Sequence, residues 1–326
     1  MYFVTKSVTF LHCIMSLDTV NFRLRKDDTP NTDFMSETPC YLDSISEHRY
    51  SDGNTVVTGD VGGYKVVISP YQVRVKDCSL CKWHLGDNFK ELTRGDTRQA
   101  VERLSDTLHL PIDKAAVTRL DFALNIIVKQ PIDVYLHRLG ELCHYQRQPL
   151  TTGLYYTQTT ETYVFYDKVR EQKKAGAVIP ELYQNRNVLR IEQRYTSRVS
   201  DRLKTAVKGE TLYNETFYNM LLNRWRDTYN GIAKINDVTL NFSAMKTKND
   251  LHRLGILALV KLSGGQMEVL SQIYDAQKRG ELTRKQAYDL RAAINDAMKE
   301  KEGLTASSNV IAELDEKVKK AVKFYR

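Results

Sequence analysis

Residues 153–174 read GLYYTQTTETYVFYDKVREQKK. The first part is dense in aromatic and β-branched side chains: Tyr155, Tyr156, Tyr163, Val164, Phe165 and Tyr166. Such residues suit a pleated, half-buried surface. The stretch then turns to charge at Asp167, Lys168, Arg170, Glu171, Lys173 and Lys174. The pattern predicts a strand running into a helix, with Tyr166 at or near the junction. Two readings of that junction are open. Tyr166 is either a core tyrosine ahead of a solvated helix or a reactive phenol beside the Lys168 cation.

The nearest strand-like runs on either side share one design. In 117–127, VTRLDFALNII, residues Leu120, Phe122, Leu124 and Ile126 face one way, and Arg119, Asp121, Ala123 and Asn125 face the other. The period of two separates an apolar face from a polar one. In 188–195, VLRIEQRY, Leu189 and Ile191 point to the core while Arg190, Glu192 and Arg194 share the opposite face. Asp121 is a candidate metal or general-base site, or half of a surface salt bridge with Arg119. If the three strands share a sheet, Asp121, Glu192 and Tyr166 can lie on one surface.

The remaining patterns point to an α+β fold. Near the start, Val20, Phe22 and Leu24 alternate with polar residues as a half-buried strand does. Residues 26–50 read as a loop with one short helix. Strands at 55–58, 64–69 and 71–75, broken by Gly62-Gly63 and Pro70, make a meander. Helices are predicted at 97–108 and 133–145, and a loop at 147–152. Beyond residue 200 the texture is helical. Tyr213, Phe217, Leu221, Trp225 and Tyr229 recur as a core stripe, and further helices fall at 251–262, 266–278, 283–301 and 310–324. Thr283 and Gln286 have capping-box spacing. The expected architecture is an antiparallel-rich central sheet with packed helices over 15–205, followed by an all-helical domain over 206–326. Residues 1–14 read as an extension with no role in the fold.

Composition narrows the function classes. The 326 residues are 42% hydrophobic and 27% charged, as in a folded protein with a full core. Lys+Arg number 48 against Asp+Glu 40, a net charge of +8, which favours a polyanionic partner. No run approaches the ~18 apolar residues of a membrane span. Five cysteines, an odd number, argue for reduced thiols in a cytoplasm. Cys78 and Cys81 form a CxxC followed by His84, but no second pair at zinc-finger spacing completes it.

Five blocks carry a resemblance: LDTVNFRL at 17–24, SLCKWHLGDN at 79–88, TRLDFAL at 118–124, YVFYDKVREQ at 163–172 and LRIEQR at 189–194. This order resembles the rolling-circle replication initiators of phages and plasmids. It is most similar to the gene II family of filamentous phages, and more distantly to the staphylococcal rolling-circle plasmid initiators. The likeness covers roughly residues 15–200 and leaves out the helical C-terminal third. It implies a nicking-joining domain over 15–205. Such a domain cuts one strand at a double-stranded origin, links a tyrosine to the 5′ phosphate, frees a 3′-OH primer and later rejoins the ends. The resemblance implies Tyr166 as nucleophile, with Lys168 beside it. Asp121 and Glu192, with Glu171 as a further ligand, then hold Mg2+ or Mn2+. Arg119, Arg190 and Arg194 fall where they can contact DNA phosphates, as do Arg170 and Lys173. Lys82 and Asn88 match a serine–lysine–glycine–asparagine block, implying DNA contact or loop shape. Seven histidines with no His-x-His leave out the paired-histidine metal motif of other branches, as the gene II type does. Implied partners are origin duplex, displaced single strand and a host helicase, in the cytoplasm of a bacterial host and with no membrane. The helical 206–326 would then serve DNA recognition, partner binding or dimerisation. The alternative is a non-catalytic DNA-binding regulator on the same scaffold.

Overall fold

The computed structural model describes residues 13–90, 92–235, 238–240, 246–299, 305–307 and 310–324. In chain order the strands are β1 (Cys13–Arg25), β2 (Asp43–Arg49), β3 (Thr55–Val61), β4 (Tyr64–Ser69), β5 (Gln72–Lys76), β6 (Ala116–Val128), β7 (Leu139–Leu142), β8 (Gln146–Leu150), β9 (Gly153–Thr157), β10 (Glu161–Asp167), β11 (Asn187–Tyr195), β12 (Ile232–Lys234), β13 (Val238–Leu240) and β14 (Thr305–Ser307). The helices are α1 (Phe34–Glu37), α2 (Leu80–Leu85), α3 (Arg94–Leu108), α4 (Ile132–Leu136), α5 (Lys168–Lys174), α6 (Val199–Leu203), α7 (Glu215–Gly231), α8 (Lys248–Leu262), α9 (Gln266–Lys278), α10 (Arg284–Lys299) and α11 (Val310–Phe324).

Ten strands form one sheet in the order β2-β3-β4-β5-β1-β6-β11-β10-β9-β8. Every neighbouring pair in it is antiparallel. The fold is α+β, and the period-two strands are the reason. One face of β6, β11 and β10 carries Leu120, Phe122, Leu124, Ile126, Leu189, Ile191, Tyr163 and Phe165, all in a single core cluster. α3 adds Ala100, Val101 and Leu104 to that cluster, and α7 adds Phe217, Leu221, Trp225 and Tyr229. α11 adds Ile311, Leu314, Val318 and Val322. Each large side chain buried there is worth about 1.5–3 kcal/mol. On the opposite face the described residues form a small cluster of Phe89, Ile127, Val169, Tyr183 and Val188, and polar groups occupy much of the rest.

Two compact units divide the chain, Met1–Ile235 with Val310–Arg326, and Asn236–Asn309. The boundary expected at residue 206 is therefore displaced. The apolar stripes of α7 and α11 cover the core face of the sheet, so both helices belong to the first unit. The second unit packs α8, α9 and α10 around Val260, Val269, Ile273, Ala287 and Ile294. It also holds the short pair β13–β14 and so is not wholly helical. The expected capping box is present: Gln286 Oε1 accepts from Thr283 N at 2.9 Å, and Gln286 N donates to Thr283 Oγ1 at 3.3 Å. Most of the expected extension 1–14 lies outside the described residues, but Cys13 and Ile14 begin β1, opposite Ile126 and Asn125.

Two local differences from the expected pattern fall at the sheet edges. β2 and β8 form the two sheet edges, where strands need not carry a buried face. All seven residues of β2 are exposed, so no alternation marks it. The predicted helix at 133–145 stops at Leu136, and Leu139–Leu142 pairs with β12 instead. The opening stretch is a hairpin, β9–β10, followed by α5. Gly153 fits the hairpin closely: at φ 157°, a Cβ there would lie 2.3 Å from the Phe165 carbonyl oxygen.

Candidate active site

Antiparallel register arranges the polar face in rows. Tyr166 of β10 lies opposite Arg190 of β11, which lies opposite Asn125 of β6. The next row is Val164, Glu192 and Ala123, and the one after it is Thr162, Arg194 and Asp121. Tyr166, Glu192 and Asp121 thus share one face, opposite the main core. Tyr163, three residues before Tyr166, points into that core, where its hydroxyl donates to the Trp225 carbonyl at 3.2 Å.

The two carboxylates are buried and held by guanidinium forks. Arg119 donates to Asp121 through Nε at 3.1 Å and Nη2 at 2.7 Å. Arg194 donates to Glu192 Oε2 through Nε at 3.1 Å and Nη2 at 2.6 Å. Both acids are about 2% exposed, while Arg119 and Arg194 keep 31% and 28% of their side chains in solvent. Burial pushes the Asp121 carboxyl up to about 6. The Arg119 fork opposes that shift and the neighbouring Glu192 charge adds to it. Among the described residues no three His, Cys, Asp or Glu side chains group to hold a metal ion. Glu171 is not gathered with this pair. It accepts from Lys168 Nζ at 2.9 Å and from Gln172 at 2.6 Å.

Arg190 differs from its two neighbours because it is fully buried and cannot contact a DNA backbone. It pairs with Asp18 and donates to Asn125 Oδ1 at 3.1 Å and the Asn88 carbonyl at 3.3 Å. Its Nη2 also lies 3.7 Å from Glu192 Oε1. Burial alone would raise the Asp18 carboxyl. Arg190, the Ser79 hydroxyl, Lys168 and Asn88 outweigh it and bring the group down to about 2. Asp18 is the residue that sequence reasoning passed over. Its signal was a carboxylate inside the apolar alternation of LDTVNFRL. Asn88 is buried in the same network, so it shapes the loop and does not meet DNA directly.

Tyr166 is half-buried, and its phenol is held well above its usual value, first by burial. The Arg190 charge opposes this, while Glu192, Asp18 and Glu171 reinforce it. Lys168 would share the strand face of Tyr166 only if the strand ran that far. The strand stops at Asp167, whose side chain caps α5 by accepting from Arg170 N at 2.9 Å. Lys168 is nonetheless buried, 5.6 Å from the Phe89 ring centroid. Burial and Arg190 lower it to about 8, with Glu171 opposing. Arg170 and Lys173 are exposed on α5, and Lys82 is exposed on α2. Cys78 and Cys81 have separate partners. Cys81 Sγ bonds to the Asp87 and Lys90 carbonyls at 3.2 and 3.5 Å, bracing the loop that carries Asn88.

The blocks that supply this face are those of a known family. The chain belongs to the family described as the N-terminal region of the replication-associated gene II protein, whose pattern matches residues 16–215. That span contains every site residue named above. A solved structure, the rolling circle replication initiator protein from Geobacillus stearothermophilus, is similar at a TM-score of 0.40 and 10% identity. The match covers 70% of this chain and 89% of that one. No curated protein matches the chain. Among the described residues, no helix is long and apolar enough to cross a membrane.

Proposed function

We propose that this chain initiates rolling-circle replication by nicking one strand at a double-stranded DNA origin and later rejoining it. The observation that carries the reading is the shared face of Tyr166, Glu192 and Asp121, in consecutive rows and away from the core. Tyr166 Oη attacks the scissile phosphorus. The new O–P bond replaces the P–O3′ bond, and O3′ leaves as a hydroxyl that primes synthesis. The phosphotyrosine retains the diester linkage, so the reverse attack by a 3′-OH rejoins the strand. A phenol is a weak nucleophile until its proton is drawn off, and Arg190 is the cation placed to favour the tyrosinate. Lys168 adds positive charge to the same neighbourhood.

The donor set suits Mg2+ or Mn2+. Two adjacent carboxylates offer hard oxygen ligands, and magnesium is commonly held by one or two carboxylates plus waters and phosphate oxygens. Burial and the neighbouring Glu192 charge both raise the Asp121 carboxyl, so a cation beside the pair would favour its ionised form. Asp121 and Glu192 would hold the ion. Arg119 and Arg194, partly solvated, are free to turn from the carboxylates to DNA phosphates. A bound divalent cation supplies charge neutralisation on the non-bridging phosphate oxygens. The unit Asn236–Asn309 would serve origin recognition, contact with a host helicase or dimerisation.

The test is incubation of supercoiled origin DNA with the protein and Mg2+ or Mn2+. Nicked circles and a covalent protein–DNA adduct are expected, and both should vanish in Tyr166→Phe. An adduct that survives Tyr166→Phe removes the nucleophile assignment. A second reading, a non-catalytic DNA-binding regulator, is favoured by the neutral phenol and by the arginine forks on both acids. It predicts salt-sensitive binding with no cleavage under any metal.

A further inference from the structure

The site face continues past Asp121 toward the start of β6. There a cleft of about 510 Å³ opens. Its lining includes Arg23 of β1, Thr118 and Arg119 of β6, and Ser197, Arg198 and Asp201 after β11. Arg119 thus touches both the Asp121 carboxylate and the cleft. Among the described residues, neither Arg23 nor Arg198 has an ion pair. The Arg23 Nε is buried with no hydrogen-bond partner. Buried donors are ordinarily satisfied, and an arginine with an unfilled donor and no ion pair in the lining of a polar cleft fits an anion. Among the described residues, Asp201 is the only carboxylate in the lining, against three arginines.

We infer that this cleft binds a backbone phosphate of single-stranded DNA, on the side of the cut that leaves with the 3′-OH. The polarity rests on the tyrosine-nicking reading. In an in-line displacement the nucleophile and the leaving oxygen lie on opposite sides of phosphorus. Tyr166 occupies one end of the face, the carboxylates follow, and the arginine cleft lies beyond them. Successive rows are about 7 Å apart, so a strand laid across them from Tyr166 reaches the cleft with its 3′-OH segment. Arg23 and Arg198 hold that segment after cleavage. This keeps the 3′-OH near the phosphotyrosine for rejoining.

The cleft is tested with full-length protein and an oligo(dT) 20-mer, measuring affinity by fluorescence anisotropy across salt concentrations. Single-strand binding loses about 0.7 in salt slope for each phosphate contact removed. R23Q/R198Q should therefore lower the slope by about 0.7 to 1.4, and R23K/R198K should restore it. Arg198 is exposed, so R198Q alone gives a variant that keeps the fold. An unchanged slope in both R198Q and R23Q/R198Q overturns the cleft. The polarity is tested on a strand that the wild-type protein nicks, by replacing single phosphates with neutral methylphosphonates. Rejoining should be sensitive at a phosphate 5′ of the scissile one, and R23Q/R198Q should abolish that sensitivity. Sensitivity confined to the 3′ side overturns the polarity. If the wild-type protein nicks no strand, the nicking reading and the polarity fall together, while the oligo(dT) slope still decides the cleft.

Discussion

Two of the buried acids, Glu161 and Asp121, lie on opposite faces of the sheet and differ in how their charge is matched. Glu161 lies on the core side of β10 at 0% exposure. It accepts from Tyr145 Oη at 2.9 Å, Gln193 Nε2 at 2.5 Å, Arg202 Nε at 2.5 Å and Arg224 Nη2 at 3.3 Å. Burial pushes this carboxyl up, but Arg202, Gln193, Tyr145 and Arg224 together hold it below its usual value. Asp121, on the other face, has one fork and a second carboxylate beside it, and rises to about 6. A buried acid whose acceptor capacity is filled is a structural node. Asp121 rises first because it is buried and then because Glu192 lies beside it, and on the proposed reading an arriving cation would offset both.

The largest effect expected from this contrast separates two tyrosines on one strand. Tyr166→Phe should reduce nicking by about 10^4-fold or more, to assay background, because the bond-forming oxygen is gone. Tyr163→Phe removes only a hydroxyl bonded to the Trp225 carbonyl in the core, and should leave the nicking rate of folded protein within a few-fold. Adduct formation on a denaturing gel reads both. Comparable losses in the two variants would erase the distinction between the faces.

The next effect is on stability. Asp18→Asn leaves Arg190 buried beside a neutral group, and breaking such a pair costs about 3–5 kcal/mol. The pH dependence has a definite sign. Asp18 titrates near 2 in the folded protein against an ordinary 3.8. Its stabilisation is therefore complete above pH 4 and is lost as pH falls through 2. Urea midpoints measured between pH 4 and 2 should fall more steeply for the wild-type protein than for Asp18→Asn. Parallel slopes would mean that Glu192, 3.7 Å from Arg190, is its true counter-charge.

A third effect crosses the two acidic sites. Glu161→Gln should destabilise by about 2 kcal/mol, since its arginine partners are a third exposed and can recover solvation. Nicking per folded molecule should be unchanged. Asp121→Asn should do the reverse, abolishing nicking with little loss, or a gain, in melting temperature. If Asp121→Asn unfolds the protein as Glu161→Gln does, both acids are structural nodes.

How much of this was legible in the sequence follows from where the period of two was enforced. β6, β10 and β11 each set an apolar face against a polar one, although both faces of β6 and β11 are largely buried, so alternation tells which residues face the main core and puts Tyr166, Glu192 and Asp121 on a common side. Edge strands β2 and β8 are under no such constraint and read as loops. The roles of the arginines were less legible. Arg119, Arg190 and Arg194 have the same parity, yet Arg190 is sealed by Asp18, Asn88 and Asn125, which come from β1, the loop after α2 and β6. No local pattern reports that closure, because its partners lie between 65 and 172 residues away in sequence. The role of α11 was hidden for a similar reason: its amphipathic pattern predicts a helix but not which unit it covers.

The smallest effect concerns cations that no fold contact explains. Lys82 on α2 and Arg170 on α5 are exposed and make no side-chain ion pair among the described residues. Lys82 lies close enough to Glu171 to help hold its carboxyl below the usual range, behind burial, Gln172 and Lys168. If these residues only solvate the surface, replacing them changes nothing measurable in DNA binding. If they extend the phosphate track beside Tyr166, each of Lys82→Gln and Arg170→Gln should lower the single-strand salt slope by about 0.7. The nicking rate at saturating DNA should stay the same, because neither side chain belongs to the rows that hold Tyr166, Glu192 and Asp121. A fall in that rate with an unchanged slope would instead draw α2 and α5 into the chemistry and redraw the boundary between the site and its rim.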